Sequence, residues 1–276
     1  MGLTFNSVLV EEGIDPHHVR LLRHETRRHG RTPYALWRDD DVSFDDYQRI
    51  QKASRRAYFA SPYWASFVVS PGGKTLFVGL YRVGTAACVP SGWIDPISGR
   101  TAETLADYDF YATERLQPLS EYSGKLVIGW GSGTRSWAQR AHRQAKPIIE
   151  LQEHFVEPPF PGYLSFCAQL SDIEAMPMGW RTALAAVHGV YLLTCPRTRE
   201  QYVGSASGAE GLLGRWLEYA QNGHGGNVAL KSRNPEDYRV SVLYVAASTE
   251  SRDSIERVEG LWKSKLQSRE MGLNRN

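Results

Sequence analysis

Cysteine is scarce in this chain. Cys88, Cys167 and Cys195 lie far apart and form no CxxC pair. That excludes a disulfide-built scaffold and a structural zinc ribbon, and it fits a reducing cytoplasm. No apolar run approaches the ~18 residues needed to span a bilayer, so no membrane role is expected. The opening MGLTFNSVLVEEG has neither the basic region nor the apolar core of a secretion signal. Ser7 also falls one place too far along for a myristoylation pattern. Charge of one sign is not in large excess either, the net value being +2. No broad basic field advertises a polyanionic partner, although the C-terminal part is slightly basic and a local cluster would suffice for phosphates. Repeats and low-complexity segments are absent.

What remains is an ordinary globular composition of 276 residues, 42% hydrophobic and 22% charged. The length is comfortable for two domains. The first part reads mostly as strands. Its clearest element is YWASFVVSPGGKTLFVGLYRV (63–83), two β-branched and aromatic runs joined through Pro71, Gly72 and Gly73 as a hairpin. Further strands are expected at 122–131 and 146–152. Short helices are expected at 15–24, opened by Asp15 and Pro16, and at 43–57, opened by Ser43 with Asp46 three residues later. A proline-rich passage at 157–180 (EPPFPGYLSF, then EAMPMGW) interrupts the periodicity and marks a seam. Beyond it the pattern runs strand, strand, helix, strand, helix. The fold class expected is therefore α/β (α+β). A strand-rich N-terminal domain, 1–175, with a curved sheet or barrel, precedes a small mixed sheet flanked by helices, 176–276.

Three features of the second part strain a purely structural reading. The stretch GVYLLTCPRTREQYVG (189–204) is a hairpin in which each arm holds a glycine and a tyrosine, Tyr191 and Tyr202. The helix expected at 208–221 buries Leu212, Leu213, Trp216, Leu217 and Ala220, and beside that face runs Gly208, Gly211, Arg215, Tyr219. Two glycines cost a helix about 1 kcal/mol each. They leave room for a backbone or a ligand to approach Arg215, the alternative being a surface arginine after a loose first turn. In the last helix Ile255, Glu259, Trp262 and Leu266 recur at core-facing spacing, so Glu259 occupies an aliphatic slot. A carboxylate there needs a salt bridge or a divalent cation.

In order, GVY, ten residues, YVG, an arginine on the next helix, a glutamate on a later helix and an asparagine in GLNRN resemble the GIY-YIG nuclease family over roughly 187–276. The resemblance implies that Tyr191 and Tyr202 face a scissile phosphate. It also implies that Arg215 contacts that phosphate, that Tyr219 stands one turn later, and that Glu259 is the carboxylate ligand of Mg²⁺ or Mn²⁺. Asn274 matches the terminal asparagine better than Asn276. A free tyrosine is a poor base at pKa ~10 unless a cation lowers it. Tyr191 is the expected water-orienting or base residue, with Tyr202 in support. In NGHGGNVALK (222–231), His224, Asn227 and Lys231 are candidate DNA contacts, or else the segment is a helix cap and connector.

His17, His18, His24 and His29 sit in an arginine-rich stretch read as a solvated basic face able to lie on phosphates, metal binding being the weaker reading. The aromatic residues of the first part are mostly core, with a subset near Tyr58–Trp64 able to stack on an extruded base. Together these readings describe a divalent-metal-dependent endonuclease acting on double-stranded DNA, of restriction or phage-defence type. Its N-terminal domain would direct it, with modified DNA as the candidate target, and it would pair as a homodimer on its substrate. The alternatives are a repair or mobile-element nuclease, or a DNA-binding protein with an inactive nuclease domain.

Overall fold

The computed structural model describes residues 2–25, 31–131, 136–222 and 238–274. The chain forms two compact units that part between Pro158 and Pro159. The fold is mixed α/β, a strand-rich unit with a large bent sheet and a second unit with a small sheet flanked by helices.

In the first unit the elements are α1 (Phe5–Glu11), β1 (Val19–His24), α2 (Pro33–Asp39), α3 (Asp41–Gln48), β2 (Ile50–Lys52) and α4 (Arg56–Phe59). Then come β3 (Tyr63–Val69), β4 (Thr75–Cys88), β5 (Tyr108–Arg115), β6 (Leu126–Ile128), β7 (Ala138–Arg140) and β8 (Ile148–Leu151). The sheet order is β2-β5-β4-β3-β1-β7, with β6 joining β4 to β8. All pairings are antiparallel except β1 with β3. The expected hairpin is β3–β4, and Gly73 in its turn adopts φ +81, which a side chain would resist. The long β4 bends at register shifts against both neighbours, as bulges do. Phe5 and Leu9 of α1 pack with Val19, Phe67 and Phe77, while Tyr34 and Phe44 of α2 and α3 pack with Val68 and Val78.

Two local expectations are corrected here. Residues 15–24 do not form a helix. Asp15 caps only one 3-10 turn, Pro16–His18, and the chain then enters β1. The reason is tertiary, because all six residues of β1 are buried between β3 and β7. Residues 43–57 likewise do not form one helix. The helix starts earlier, capped by Asp40, whose carboxylate accepts from the Ser43 amide at 3.1 Å, and it ends at Gln48. Ile50–Lys52 are then drawn into pairing with β5.

The solvated basic face is corrected in part: His17 and His18 are exposed, but the strand that follows them is not. Arg20, Arg23 and His24 are buried within β1. Arg20 Nε donates to the Tyr58 carbonyl at 2.8 Å and Arg23 Nε donates to Thr75 Oγ1 at 3.1 Å. Both guanidinium groups are held inside the unit, where Arg23 also pairs with Glu25, while Arg20 Nη1 is left without a hydrogen-bond partner. His29 lies outside the described residues.

Burial pushes the His24 imidazole down to about 3, so the folded protein keeps it neutral. An unfolded histidine takes up its proton below about 6.5. The unfolded state therefore binds more protons across that window, and stability falls as the pH drops through it. Between pH 7 and pH 5 the wild type should lose about 2 kcal/mol more stability than His24→Leu. Urea unfolding at the two pH values measures this, and equal losses would refute it.

In the second unit the elements are β9 (Cys167–Gln169), α5 (Met178–Ala185), β10 (Gly189–Thr194), β11 (Gln201–Ala206), α6 (Gly211–Asn222), β12 (Arg239–Val245) and α7 (Arg252–Lys265). From β10 onward this is the expected strand, strand, helix, strand, helix order. The sheet runs β11-β10-β12-β9, every pair antiparallel. One face, carrying Tyr191, Leu193 and Tyr202, packs against Leu212, Trp216 and Tyr219 of α6. The other, carrying Val190 and Val203, packs against Ile255 and Trp262 of α7. Among the described residues no helix is long and apolar enough to cross a membrane.

Candidate active site

Strand period and hairpin register bring the two motif tyrosines together. Tyr191 pairs with Gly204 and Leu193 with Tyr202, so Tyr191 and Tyr202 share the face that looks at α6. Both glycines of the motif are required by close approach. A Cβ on Gly189 would stand 2.0 Å from the Tyr244 carbonyl oxygen, and one on Gly204 would stand 2.5 Å from the Tyr191 hydroxyl. Gly204 is thus the space in which the Tyr191 phenol lies. Gly204→Ala should cost about 2 kcal/mol of stability through that collision. Adding Tyr191→Phe, which deletes the colliding oxygen but leaves the ring carbon Cζ at 2.7 Å and Tyr202 Cε1 at 2.9 Å, should recover part of it in urea unfolding. A double variant no more stable than Gly204→Ala would refute this account.

The Tyr191 hydroxyl is buried and donates to the Tyr219 hydroxyl at 3.0 Å. Tyr191 stands edge-on to Trp216, and Tyr219 edge-on to both Tyr191 and Tyr202. Burial pushes the Tyr191 phenol well above its usual range, and Tyr202 adds to this, while Tyr219 and Arg215 pull it back. The Tyr219 phenol is raised further, again first by burial. Both are therefore neutral hydrogen-bonding groups at ordinary pH.

The Arg215 guanidinium lies 5.1 Å over the Tyr219 ring, and its Nη1 donates to Glu218 at 2.7 Å. The helix that carries it begins at Gly211 rather than at 208. Gly211 adopts φ +53, and a Cβ there would meet the Val187 carbonyl oxygen at 2.3 Å. Its small size accommodates backbone, while Gly208 faces open space.

On the opposite face of the sheet, Glu259 accepts from Ser205 Oγ of β11 and lies 2.8 Å from Lys263 Nζ, one turn along α7. Both side chains are largely buried, 14% exposed for Glu259 and 7% for Lys263. The salt bridge is thus one answer to the aliphatic slot that Glu259 occupies. Strand β11 is the edge of its sheet, and Glu259 and Arg215 reach around it from either side. Tyr202, Arg215 and Glu259 line one cleft of about 750 Å³, together with Ser205, Glu210 and Arg252.

Asn274 does not line that cleft. It is buried, its Oδ1 accepts from the Val203 amide at 2.9 Å, and its Nδ2 donates to the Val203 carbonyl at 2.8 Å. The carboxamide imitates a neighbouring strand along β11, and the Leu273 amide continues the pairing to the Gln201 carbonyl at 2.8 Å. This covers an edge that would otherwise stand open. No signal in the sequence distinguished that role from a place in the cleft. Ser205, Glu210 and Arg252 were not singled out from the sequence, and only the pairing of Ser205 beside Val190 on the α7 face could have hinted at the first. His224, Asn227, Lys231 and Asn276 lie outside the described residues.

Among the described residues no three metal-ligating side chains cluster. Glu259 is one of several glutamates lining the cleft and the one held on the sheet side by Ser205, and Mg²⁺ commonly takes one or two carboxylates and completes its shell with water and phosphate oxygens. Lys263 would have to yield part of its contact with Glu259 to such an ion.

No protein-family model matches this chain, and no curated protein does. Among solved structures, a mutant form of the catalytic domain of intron endonuclease I-TevI is similar over 33% of this chain and 94% of that one, at 22% identity and a TM-score of 0.27. A structure of the catalytic domain of homing endonuclease I-TevI is similar over 32% and 96%, at 23% identity and the same TM-score of 0.27. These likenesses are too slight to establish either fold or chemistry for this chain.

Proposed function

We propose that the chain is a divalent-metal-dependent endonuclease that hydrolyses phosphodiester bonds in double-stranded DNA, with residues 176–276 as a GIY-YIG-type nuclease domain. The observation that carries this reading is the convergence of Tyr202, Arg215 and Glu259 on one cleft, with the Tyr191–Tyr219 hydrogen bond beside it. A phosphodiester needs a cation against its oxygens, an oriented water and a donor to steady the charge that develops. Arg215 supplies a fixed cation at the mouth. Tyr202 borders the cleft and is the phenol a phosphate meets. Tyr191, kept neutral by burial, orients Tyr219; in the base role it would first have to ionise and then take the proton of the attacking water, and the Arg215 charge favours that ionised form. Glu259 holds the metal, which would polarise the phosphoryl oxygens when bound. Asn274 belongs to the site by fixing β11, the strand that bears Tyr202 and Ser205.

The finer reading is a restriction or phage-defence enzyme of the reducing cytoplasm, with modified DNA as its target and the expected 1–175 specificity domain ending at Pro158, since 159–175 pack in the second unit. It would act as a homodimer on DNA, because cutting two strands asks for two such sites. A second reading, a DNA-binding protein whose nuclease domain is inactive, is favoured by the engagement of both Glu259 oxygens, with Ser205 and Lys263. Digestion of native, cytosine-modified and phage DNAs with Mg²⁺ or Mn²⁺, followed by sequencing of the ends, separates the two. Metal-dependent cuts at defined positions are expected. Binding without cleavage across the panel would replace the enzyme with the binder.

A further inference from the structure

The first unit contains a cavity of about 640 Å³ that the nuclease reading does not use. Pockets of about 300–1,000 Å³ are the usual size for small organic ligands. Its walls are aromatic. Phe59 and Trp137 stack at 5.6 Å, and the His24 ring stands edge-on to Tyr47 at 5.5 Å.

Two buried polar side chains line the same space with hydrogen-bonding capacity unspent. Gln48 is 1% exposed and His24 is 6% exposed, and the Nε2 atom of each lacks a partner. Gln48 Oε1 accepts from Ser66 Oγ, which fixes the carboxamide, and its amino group interacts with the Tyr81 hydroxyl without completing a hydrogen bond. An orphaned buried polar atom is costly to the fold. Two lining one cavity indicate a ligand with polar edges and not an apolar one. The imidazole is neutral, so it presents hydrogen-bonding edges rather than a charge.

The rim is cationic. The Arg55 guanidinium lies over the Tyr58 and Phe59 rings at 4.9 and 5.3 Å, and Lys52 Nζ lies 5.9 Å over Tyr108. Both cations are exposed at the cavity. Arg23 and Glu25, which also line it, pair with each other. A cationic ligand would be repelled by Lys52 and Arg55, whereas phosphates flanking a planar ring would be held. We propose that this cavity receives one nucleobase turned out of a DNA strand, stacked on Trp137 and read at its edge by Gln48 and His24, with Lys52 and Arg55 on the adjacent phosphates. The choice of DNA over a free nucleotide rests on the nuclease reading of the second unit.

The test is fluorescence anisotropy of the full chain in EDTA, which prevents cutting. Labelled duplexes would be fully paired, mismatched at one base, or carry one modified cytosine. Extrusion costs least where pairing is weakest or altered. At least one altered duplex should therefore bind about tenfold tighter than the paired one. Trp137→Ala and Gln48→Leu should each abolish that preference, since loss of a stacking partner typically weakens binding by about tenfold or more. Because Gln48 also bonds Ser66, the exposed pair Lys52→Ala and Arg55→Ala provides a variant that leaves the core untouched. It should weaken every duplex alike and lower the salt slope by about two. Displacement of duplex by micromolar mononucleotide would reassign the cavity to a free nucleotide and overturn the proposal. A preference that survives in folded Trp137→Ala would also overturn it. Equal binding of all duplexes by a wild type that cuts DNA would overturn this inference alone, and absence of both binding and cleavage would overturn the nuclease reading with it.

Discussion

Glu259→Gln should lower single-turnover cleavage of duplex DNA by about a thousandfold while leaving DNA binding within a few-fold, and should cost about 2 kcal/mol of stability. The two effects have separate causes. Cleavage falls because a neutral carboxamide is a poor ligand for a hard divalent cation. Stability falls because the bond from Ser205 and the contact with Lys263 both weaken at a largely buried position. A second substitution tells them apart. Replacing an ion pair by apolar groups of similar volume is often neutral, whereas removing one partner is not. Glu259→Gln combined with Lys263→Met should therefore regain stability in urea unfolding without regaining cleavage. If the double variant recovered cleavage as well, Glu259 would be a structural partner of Lys263 and not the metal ligand.

Arg215→Ala should slow cleavage by a further comparable amount, about a thousandfold, the usual loss when a fixed donor to a charged transition state is removed. Its side chain is about one-third exposed, 33%, so the variant should fold with little loss of stability. Arg215→Lys should restore only part of the rate, because an ammonium lacks the planar fork that can hold two phosphoryl oxygens and stack on the Tyr219 ring. The pH dependence should also move. The Arg215 charge lowers the Tyr191 phenol against the effect of burial, so removing it raises that phenol further. The alkaline rise in rate expected from a tyrosine base should shift to higher pH in Arg215→Ala, measured as single-turnover rate against pH. An unshifted profile would remove Tyr191 from proton transfer and leave Arg215 as a phosphate contact only.

The two arms of β10–β11 were legible because strand period is local. The pairing of Leu193 with Tyr202 then puts Tyr191 and Tyr202 on one face, a register that the structure supplies. The order of elements after β10 was legible for the same reason, each helix announcing itself by an apolar stripe such as Leu212, Leu213 and Trp216. Residues 15–24 were misread because a short run of Val, Leu, Arg and His suits either a helix or a strand. Burial between β3 and β7 decides it, and those partners lie 40 to 120 residues away along the chain. The same distance hid the carbonyl and hydroxyl that take up Arg20 and Arg23.

By itself the sequence determined the hairpin at 63–83, the tyrosine-bearing hairpin at 189–204 and the spacing that carries Arg215 and Glu259 to helices beyond it. These depend on periodicity and turn chemistry, which a chain expresses within about a dozen residues. Only the tertiary structure decided that Gly204 makes room for the Tyr191 hydroxyl, that Asn274 pairs with Val203, and that Glu259 meets both Ser205 and Lys263. It alone also gathered His24 and Gln48 around one cavity. Each of those facts is a meeting of side chains or backbone whose partner is chosen by packing, and packing is settled only when the whole unit has closed around its core.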